Sequence, residues 1–469
     1  MANAFSKWIT STLLLMATSH AFGGLRDDIP WKATDPLFGE ALFEFYQGAD
    51  FSAITRLTAA QKTGALSQPK DESDLLLGVL YLSYGMPNSA QEIFSRLADK
   101  ASSRRTQNTA AFYLARILYR QGQILKAEKL LSATDGDLPD ALVKERDRLL
   151  VDVLATMKRF QDADKLAAQL DGNSVASYYS RHNLAVAEIK YGDKEHGMVL
   201  LGKLGALPFN TAEARTLEDK TSLALGYAHL QARDAEEAKA HFNKVRLDGL
   251  LSSKALLGTG FAEIALGQRQ RALVPWMELQ KRDIRIPETQ EAMLAVPDTL
   301  FKLESYKEAL AHYQRAVSAY IDEKTQIANA IAAIRAGKLH KNILHQHAID
   351  EGRWRTTLQK LPPSPETRYL PWLLEIPAFQ QAVTLYRDTL TLLITLQAQR
   401  THPAAQSLSG RIETALAETQ TTAQKLESQL QQIAIAELER RMQRLESYLV
   451  QANLAVAELY NHAAARGDE

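Results

Sequence analysis

The side chains best suited to holding a metal ion are His340, His345 and His347, with Asp350 and Glu351 close behind them. Their spacing is neither the two-histidine helical pair of a zinc protease nor the spacing of a zinc finger, so they are expected to be polar surface or packing residues. The paired glycines Gly258 and Gly260 in "LLGTGF" would suit a phosphate loop, but no strand precedes them. Cysteine is absent, which excludes disulfides, thiolate zinc sites, cysteine nucleophiles and a lipidated cysteine anchor. No serine elbow, zinc-protease helix or paired-carboxylate motif stands out. The expectation is a protein that is not an enzyme and needs no cofactor or metal. Recognition is the remaining chemistry, and it depends on what positions the side chains.

A recurring pattern does the positioning. Asp74–Leu97 reads "DLLLGVLYLSYGMPNSAQEIFSRL", with Leu77, Gly78, Tyr81, Gly85, Ala90, Phe94 and Leu97 at set offsets. The offsets return in Thr109–Leu131, Ser222–Val245, Leu256–Leu279 and Met293–Ala316. Weaker copies run through Leu150–Ala167 and Leu184–Leu204, and Leu37–Leu57 reads as a shortened first copy. The small residues Ala90, Ala127, Ala163, Gly197, Ala238, Ala272 and Ala309 recur every 34 to 41 positions. A small residue at fixed phase lets two helices approach closely, and an aromatic at fixed phase fills the gap toward the next unit. Gly85, Gly122, Gly192 and Gly267 are placed to end first helices in a left-handed turn.

On these residues the chain resembles the tetratricopeptide repeat family from about Leu37 to Ala316. The resemblance implies an all-α, right-handed superhelical solenoid of about eight helical hairpins with a concave face. Some members of that family hold a partner's C-terminal carboxylate in a Lys/Asn/Arg clamp on successive first helices. The corresponding positions here carry Tyr113, Arg116, Arg148, Asp152, His182, Asn183, Tyr227, Phe261, Asp298 and Phe301. Only Asn183 fits the clamp, so that mode is rejected. An aromatic, arginine-dotted groove suits an extended peptide or a helix. Packing between neighbouring units accounts equally well for several of these residues.

Beyond the repeats, Tyr320–Gly337 reads as one more helix that caps the array. Residues 338–377 are a proline-rich linker or cap, with Pro362, Pro363, Pro365, Pro371 and Pro377 stopping helices. Residues 378–469 read as a helical coiled-coil region. Ile412, Leu416, Thr419, Ala423, Leu426, Leu430 and Ile433 share one heptad seam. After a one-residue skip, Leu438, Met442, Leu445, Leu449, Ala452, Val456 and Leu459 continue it. Such a seam must be covered, either by fold-back onto the array, by another protein, or by a second copy in an oligomer.

Lysine plus arginine equals aspartate plus glutamate at 55 each, so no overall electrostatic footprint for nucleic acid or a membrane surface exists. Residues 1–21 have the order of a secretory signal: Lys7, an apolar Trp8–Ala17 run too short to span a bilayer, and Ser19-His20-Ala21 before the cleavage point. The solenoid then occupies 22–337, and no later segment is apolar enough for stable membrane insertion. The expected protein is a periplasmic adaptor of a Gram-negative bacterium, binding protein partners in cell-envelope assembly. The alternative is a periplasmic part of a polysaccharide-export or secretion system.

Overall fold

The computed structural model describes residues 29, 31–134, 136–170, 174–204, 211–339, 364–400 and 409–466. Among them every regular element is an α-helix. The chain divides into two compact units, Met1–Leu279 and Gln280–Glu469.

The first unit is an array of seven helical hairpins. In order these are α1 (Pro36–Gln47) with α2 (Asp50–Thr63), α3 (Lys70–Tyr84) with α4 (Pro87–Lys100), α5 (Arg104–Arg120) with α6 (Ile124–Ala133), and α7 (Asp140–Thr156) with α8 (Phe160–Gln169). They continue as α9 (Val175–Tyr191) with α10 (Lys194–Lys203), α11 (Ala212–Gln231) with α12 (Ala235–Phe242), and α13 (Ser252–Ala265) with α14 (Arg269–Gln280). The first copy is a complete hairpin, not a shortened one.

Close approach of the two helices explains the small residues. Ala90, Ala127, Ala163, Ala238 and Ala272 are all fully buried. A Cβ on Gly197 would lie 2.7 Å from the Ala185 carbonyl oxygen, so the weaker fifth hairpin obeys the same rule. In the second, sixth and seventh hairpins the aromatic of the second helix sits in a notch cut by glycine. A Cβ on Gly78 would meet the Phe94 ring at 2.6 Å, and one on Gly226 would meet Phe242 at 2.5 Å. Phe242 also fills the space beside Gly258 of the next hairpin, locking neighbours together. Gly258 and Gly260 are thus packing residues on a helix and not a phosphate loop.

The tight turns need one residue with positive φ. Gly48, Gly85, Gly122 and Gly267 supply it in four hairpins, while Lys158 and Arg233 adopt it at the same place in two more. Gly192 does not, contrary to expectation: its φ is −126°. It is needed instead for clearance, because a Cβ there would lie 2.6 Å from the Phe160 ring.

The second unit begins with a further hairpin, α15 (Pro287–Lys302) and α16 (Tyr306–Arg335). The expected separate capping helix at Tyr320–Gly337 is the end of α16, a single 30-residue helix. No breaker interrupts it, and Ala316 and Tyr320 are both fully buried. A short helix α17 (Leu370–Leu373) leads into α18 (Pro377–Arg400) and the 58-residue α19 (Ser409–Arg466). The division therefore falls near Leu279, not at the proline-rich segment. Tyr369, Leu370 and Leu373 are buried, so residues 364–377 belong to this unit's core and are not a spacer.

The seam of α19 is covered from within the chain. Its first half packs on α18 and its second half on α16 and α15. At 1.5 Å per residue α19 is about 87 Å long, and α18 and α16 together extend about 80 Å. Each alone is too short to cover the seam, but in succession they match it. Leu438, Leu445 and Leu459 are buried, and Met442, Leu449 and Val456 are half-buried. The skip is absorbed by Ala434, which is fully buried where the seam passes from one partner helix to the other. An oligomer is therefore not required to cover this seam.

Polar contacts fix the register. Tyr448 donates to Glu291 at 2.8 Å, and Tyr320 donates to the Gln290 carbonyl at 2.6 Å. Buried Glu323 accepts from Tyr369 at 2.8 Å and Arg368 at 2.9 Å. The Trp372 ring lies between the guanidinium groups of Arg285 and Arg441, 4.8 and 5.2 Å from its centroid.

Candidate functional site

The first helices of successive hairpins lie side by side, α5 on α7, α7 on α9, α9 on α11 and α11 on α13. This row positions the proposed recognition residues, and the packing divides them into two groups.

Three belong to the core and do not face a partner. Tyr113 is fully buried and stacks on Phe94 with ring centroids 5.3 Å apart. Tyr227 is 2% exposed, set edge-on to Phe242, and donates to the Lys254 carbonyl at 3.1 Å. His182 is 1% exposed, with Nδ1 3.3 Å from the Thr221 hydroxyl and no hydrogen-bond partner at Nε2. Burial, with Lys220 nearby, holds its imidazole down at about 3. These three mark where neighbouring hairpins interlock.

Four polar side chains remain on the surface of the row in half-buried positions: Arg116, Arg148, Asp152 and Asn183. Asn183 approaches Asp152 at 3.5 Å across α7 and α9, and Arg148 pairs with Glu145. Burial pushes the Asp152 carboxyl up to about 7, against the opposite pull of Asn183 and Arg148. Phe261 is half-buried and edge-on to Trp276. In the second unit, Asp298 pairs with Lys302 at 2.8 Å. Phe301 packs against Tyr306 and His462 of α19. The chain's own last helix thus covers Phe301.

Reading only the most inward position of each helix missed its neighbours. Arg120 stands one turn beyond Arg116, and Lys220 and Lys254 stand two turns before Tyr227 and Phe261. Stepping back seven residues from each aromatic would have found both lysines. Lys220 lies 5.1 Å from the Tyr179 ring centroid, bridging α11 to α9. Tyr119 contacts Thr156 at 3.4 Å, bridging α5 to α7.

A separate cleft of about 540 Å³ opens beside the turns of the fourth and fifth hairpins, lined by Lys158, Phe160, Asp164, Glu188, Asp193 and His196 among others. Its centre is a pair, His196 Nδ1 and buried Glu188 Oε2, 2.7 Å apart. Burial raises the Glu188 carboxyl, and His196 opposes the shift. Among the described residues no group of three or more His, Cys, Asp or Glu side chains is arranged to hold a metal ion. The candidate metal ligands His340, His345 and His347 lie outside the described residues.

Stacked hairpins with a shared core and an aligned row of first helices define an all-α helical-repeat solenoid. No family model matches the chain, and no curated protein matches it in sequence. Among solved structures it is similar to the apo form of RapI, at 11% identity and a TM-score of 0.36, over 83% of this chain and 98% of that one. It is also similar to the Cut9-Hcn1 hetero-tetramer of APC/C, at 11% identity and a TM-score of 0.27, over 89% of each chain. The assignment to the solenoid class rests on this chain's own packing.

Proposed function

We propose that this protein is a non-enzymatic adaptor of the tetratricopeptide type that binds protein partners along the first-helix face of its first unit. The observation that carries this is the row from α5 to α9, where Arg116, Arg148, Asp152 and Asn183 stay half-buried and accessible on helices locked in place by a continuous core. Side chains held by rigid elements bind with little loss of conformational freedom, which is how repeat arrays gain affinity. Among the described residues no helix is long and apolar enough to cross a membrane.

The place of action proposed is the periplasm, from the signal-like order of residues 1–21, which lie outside the described residues. The pathway proposed is cell-envelope assembly, with polysaccharide export or secretion as the second reading. A photo-crosslinking amino acid at Asn183, in native cells, should capture a discrete protein partner identifiable by mass spectrometry. The same probe at exposed Leu125, on a second helix, should not. Equal capture at both positions would remove the first-helix face from consideration. N-terminal sequencing of the exported protein should begin near Phe22, and recovery of an intact Met1 chain would refute export.

A further inference from the structure

The cleft beside the turns of the fourth and fifth hairpins stands apart from the first-helix row. Glu188, at its centre, lies on α9 five residues after Asn183, about 140° round the helix from that side chain. Glu188 is 2% exposed, and His196 Nδ1 lies 2.7 Å from its Oε2. Its other oxygen, Oε1, has no partner among the described residues, and the side chain lines the cleft. A carboxylate oxygen held this deep without a donor is unfavourable, and a donor brought into the cleft relieves it.

The charges around it specify a cationic donor. Asp162, Asp164, Glu188 and Asp193 line the cleft against Lys158 and Arg159. Arg159 is held by Asp162 at 2.8 Å and by Glu128 at 3.2 Å, and the Lys158 ammonium lies 5.1 Å from the Tyr191 ring centroid. Asp193 accepts from the His196 backbone N–H at 3.0 Å and so caps α10. Asp164 is half-buried and has no partner among the described residues. Two carboxylates are thus left on one space, Asp164 from α8 and Glu188 from α9. Burial raises the Glu188 carboxyl, His196 opposes the shift, and Asp164 and Asp193 add to it, a like-charge repulsion that a bound cation relieves.

We infer that this cleft binds the guanidinium of an arginine side chain presented by a protein segment, held between Asp164 and Glu188 Oε1. It is a second binding site and does not depend on the reading of the first-helix row. A planar fork of N–H donors reaches two carboxylates at once, and a guanidinium is less strongly hydrated than an ammonium, so burying it beside Glu188 costs less. Phe160 lines the same cleft with its ring held against the Gly192 backbone, an aromatic wall on which a guanidinium plane stacks. A metal ion fits less well, because among the described residues no three His, Asp or Glu side chains are arranged to hold one. At about 540 Å³ the cleft has room for the side chain and the peptide units beside it.

The test uses the full chain and the peptide acetyl-Gly-Ser-Arg-Ser-Gly-amide, titrated and followed by saturation-transfer NMR. Replacing the arginine by citrulline, its uncharged isostere, should weaken binding about tenfold or more. Asp164→Asn and Glu188→Gln should each weaken it about fivefold to tenfold. Glu195→Gln removes an exposed carboxylate that does not line the cleft, and should change binding less than about twofold. If buried Glu188→Gln fails to fold by circular dichroism, half-buried Asp164→Asn remains the test. Equal binding of the citrulline peptide, or full binding by folded Asp164→Asn, overturns the inference. So does a lysine peptide, or Ca²⁺, that occupies the cleft more tightly than the arginine peptide. Agmatine carries the guanidinium without a peptide and should bind more weakly; tighter binding by agmatine overturns the assignment to a protein segment. If crosslinking at Asn183 captures a protein while the arginine peptide fails, the adaptor reading stands and this inference does not.

Discussion

His182 and Asp152 impose opposite pH dependences on the junction of the fourth, fifth and sixth hairpins, and removing each in turn should expose the other. His182 is 1% exposed and its imidazole is held at about 3 against an ordinary 6.5. Below pH 6.5 the unfolded chain binds a proton that the folded chain refuses, so stability falls as pH falls. Each pH unit in that window costs ~1.4 kcal/mol, and the step from pH 7 to pH 5 costs ~2 kcal/mol. Asp152 is shifted the other way, to about 7 from 3.8. Between those values the folded chain holds a proton that the unfolded chain releases, so stability rises as pH falls through 7. Full burial would make this gain ~2 kcal/mol over the same step, and the partial solvent contact of Asp152 reduces it to about 1 kcal/mol.

In the wild type the Asp152 gain offsets about half of the His182 cost. Asp152→Asn should therefore lose ~2 kcal/mol of local stability from pH 7 to pH 5, and His182→Asn should gain about 1 kcal/mol. Other shifted groups, Glu188 upward and His241 and His312 downward, contribute equally to both variants and drop out of the difference. Hydrogen exchange at the amides of α9 and α11, corrected for intrinsic rates, reads this directly as local opening. Protection in Asp152→Asn should fall about 30-fold between pH 7 and pH 5, the equivalent of ~2 kcal/mol. Identical pH slopes for the wild type and both variants would refute the reasoning.

Further perturbations test the packing. Gly260→Ala would place a Cβ 2.1 Å from Trp276 Nε1, which donates to the Leu257 carbonyl at 3.1 Å, so the ring must shift and lose that bond. A cost of about 2–4 kcal/mol is expected in urea unfolding, while Gly202→Ala, with open space around it, should cost nothing measurable. Leu445→Asp buries a charge under α16 and should destabilise the second unit by more than ~3 kcal/mol with no change in molecular mass by light scattering. A mass halved by that substitution would show that the seam joins two chains. Glu323→Gln weakens the acceptor that Tyr369 and Arg368 share, and should lower the melting temperature without altering the first unit's hydrogen exchange.

The helical-repeat fold was legible because its constraints are local and recur. Glycine and alanine at fixed phase permit close helix contact, and the buried alanines and the Phe94 and Phe242 notches follow from spacing alone. The turn at Gly192 shows the limit of that logic. The residue type was correct, but the need was clearance from Phe160, a contact made across hairpins and invisible in a single copy.

What the sequence by itself determined was the class of structure: an all-α array whose period is written in small and aromatic residues, and a long final helix with one apolar seam. What only the tertiary structure decided was which side of each helix meets which neighbour. Tyr113, His182 and Tyr227 occupy positions indistinguishable in spacing from Arg116 and Asn183, yet they interlock hairpins while the others remain accessible. A heptad seam likewise specifies that it must be buried but not against what. Here α18 and α16 cover it in turn, because the hydrophobic effect rewards any apolar partner and chain geometry alone selects among them.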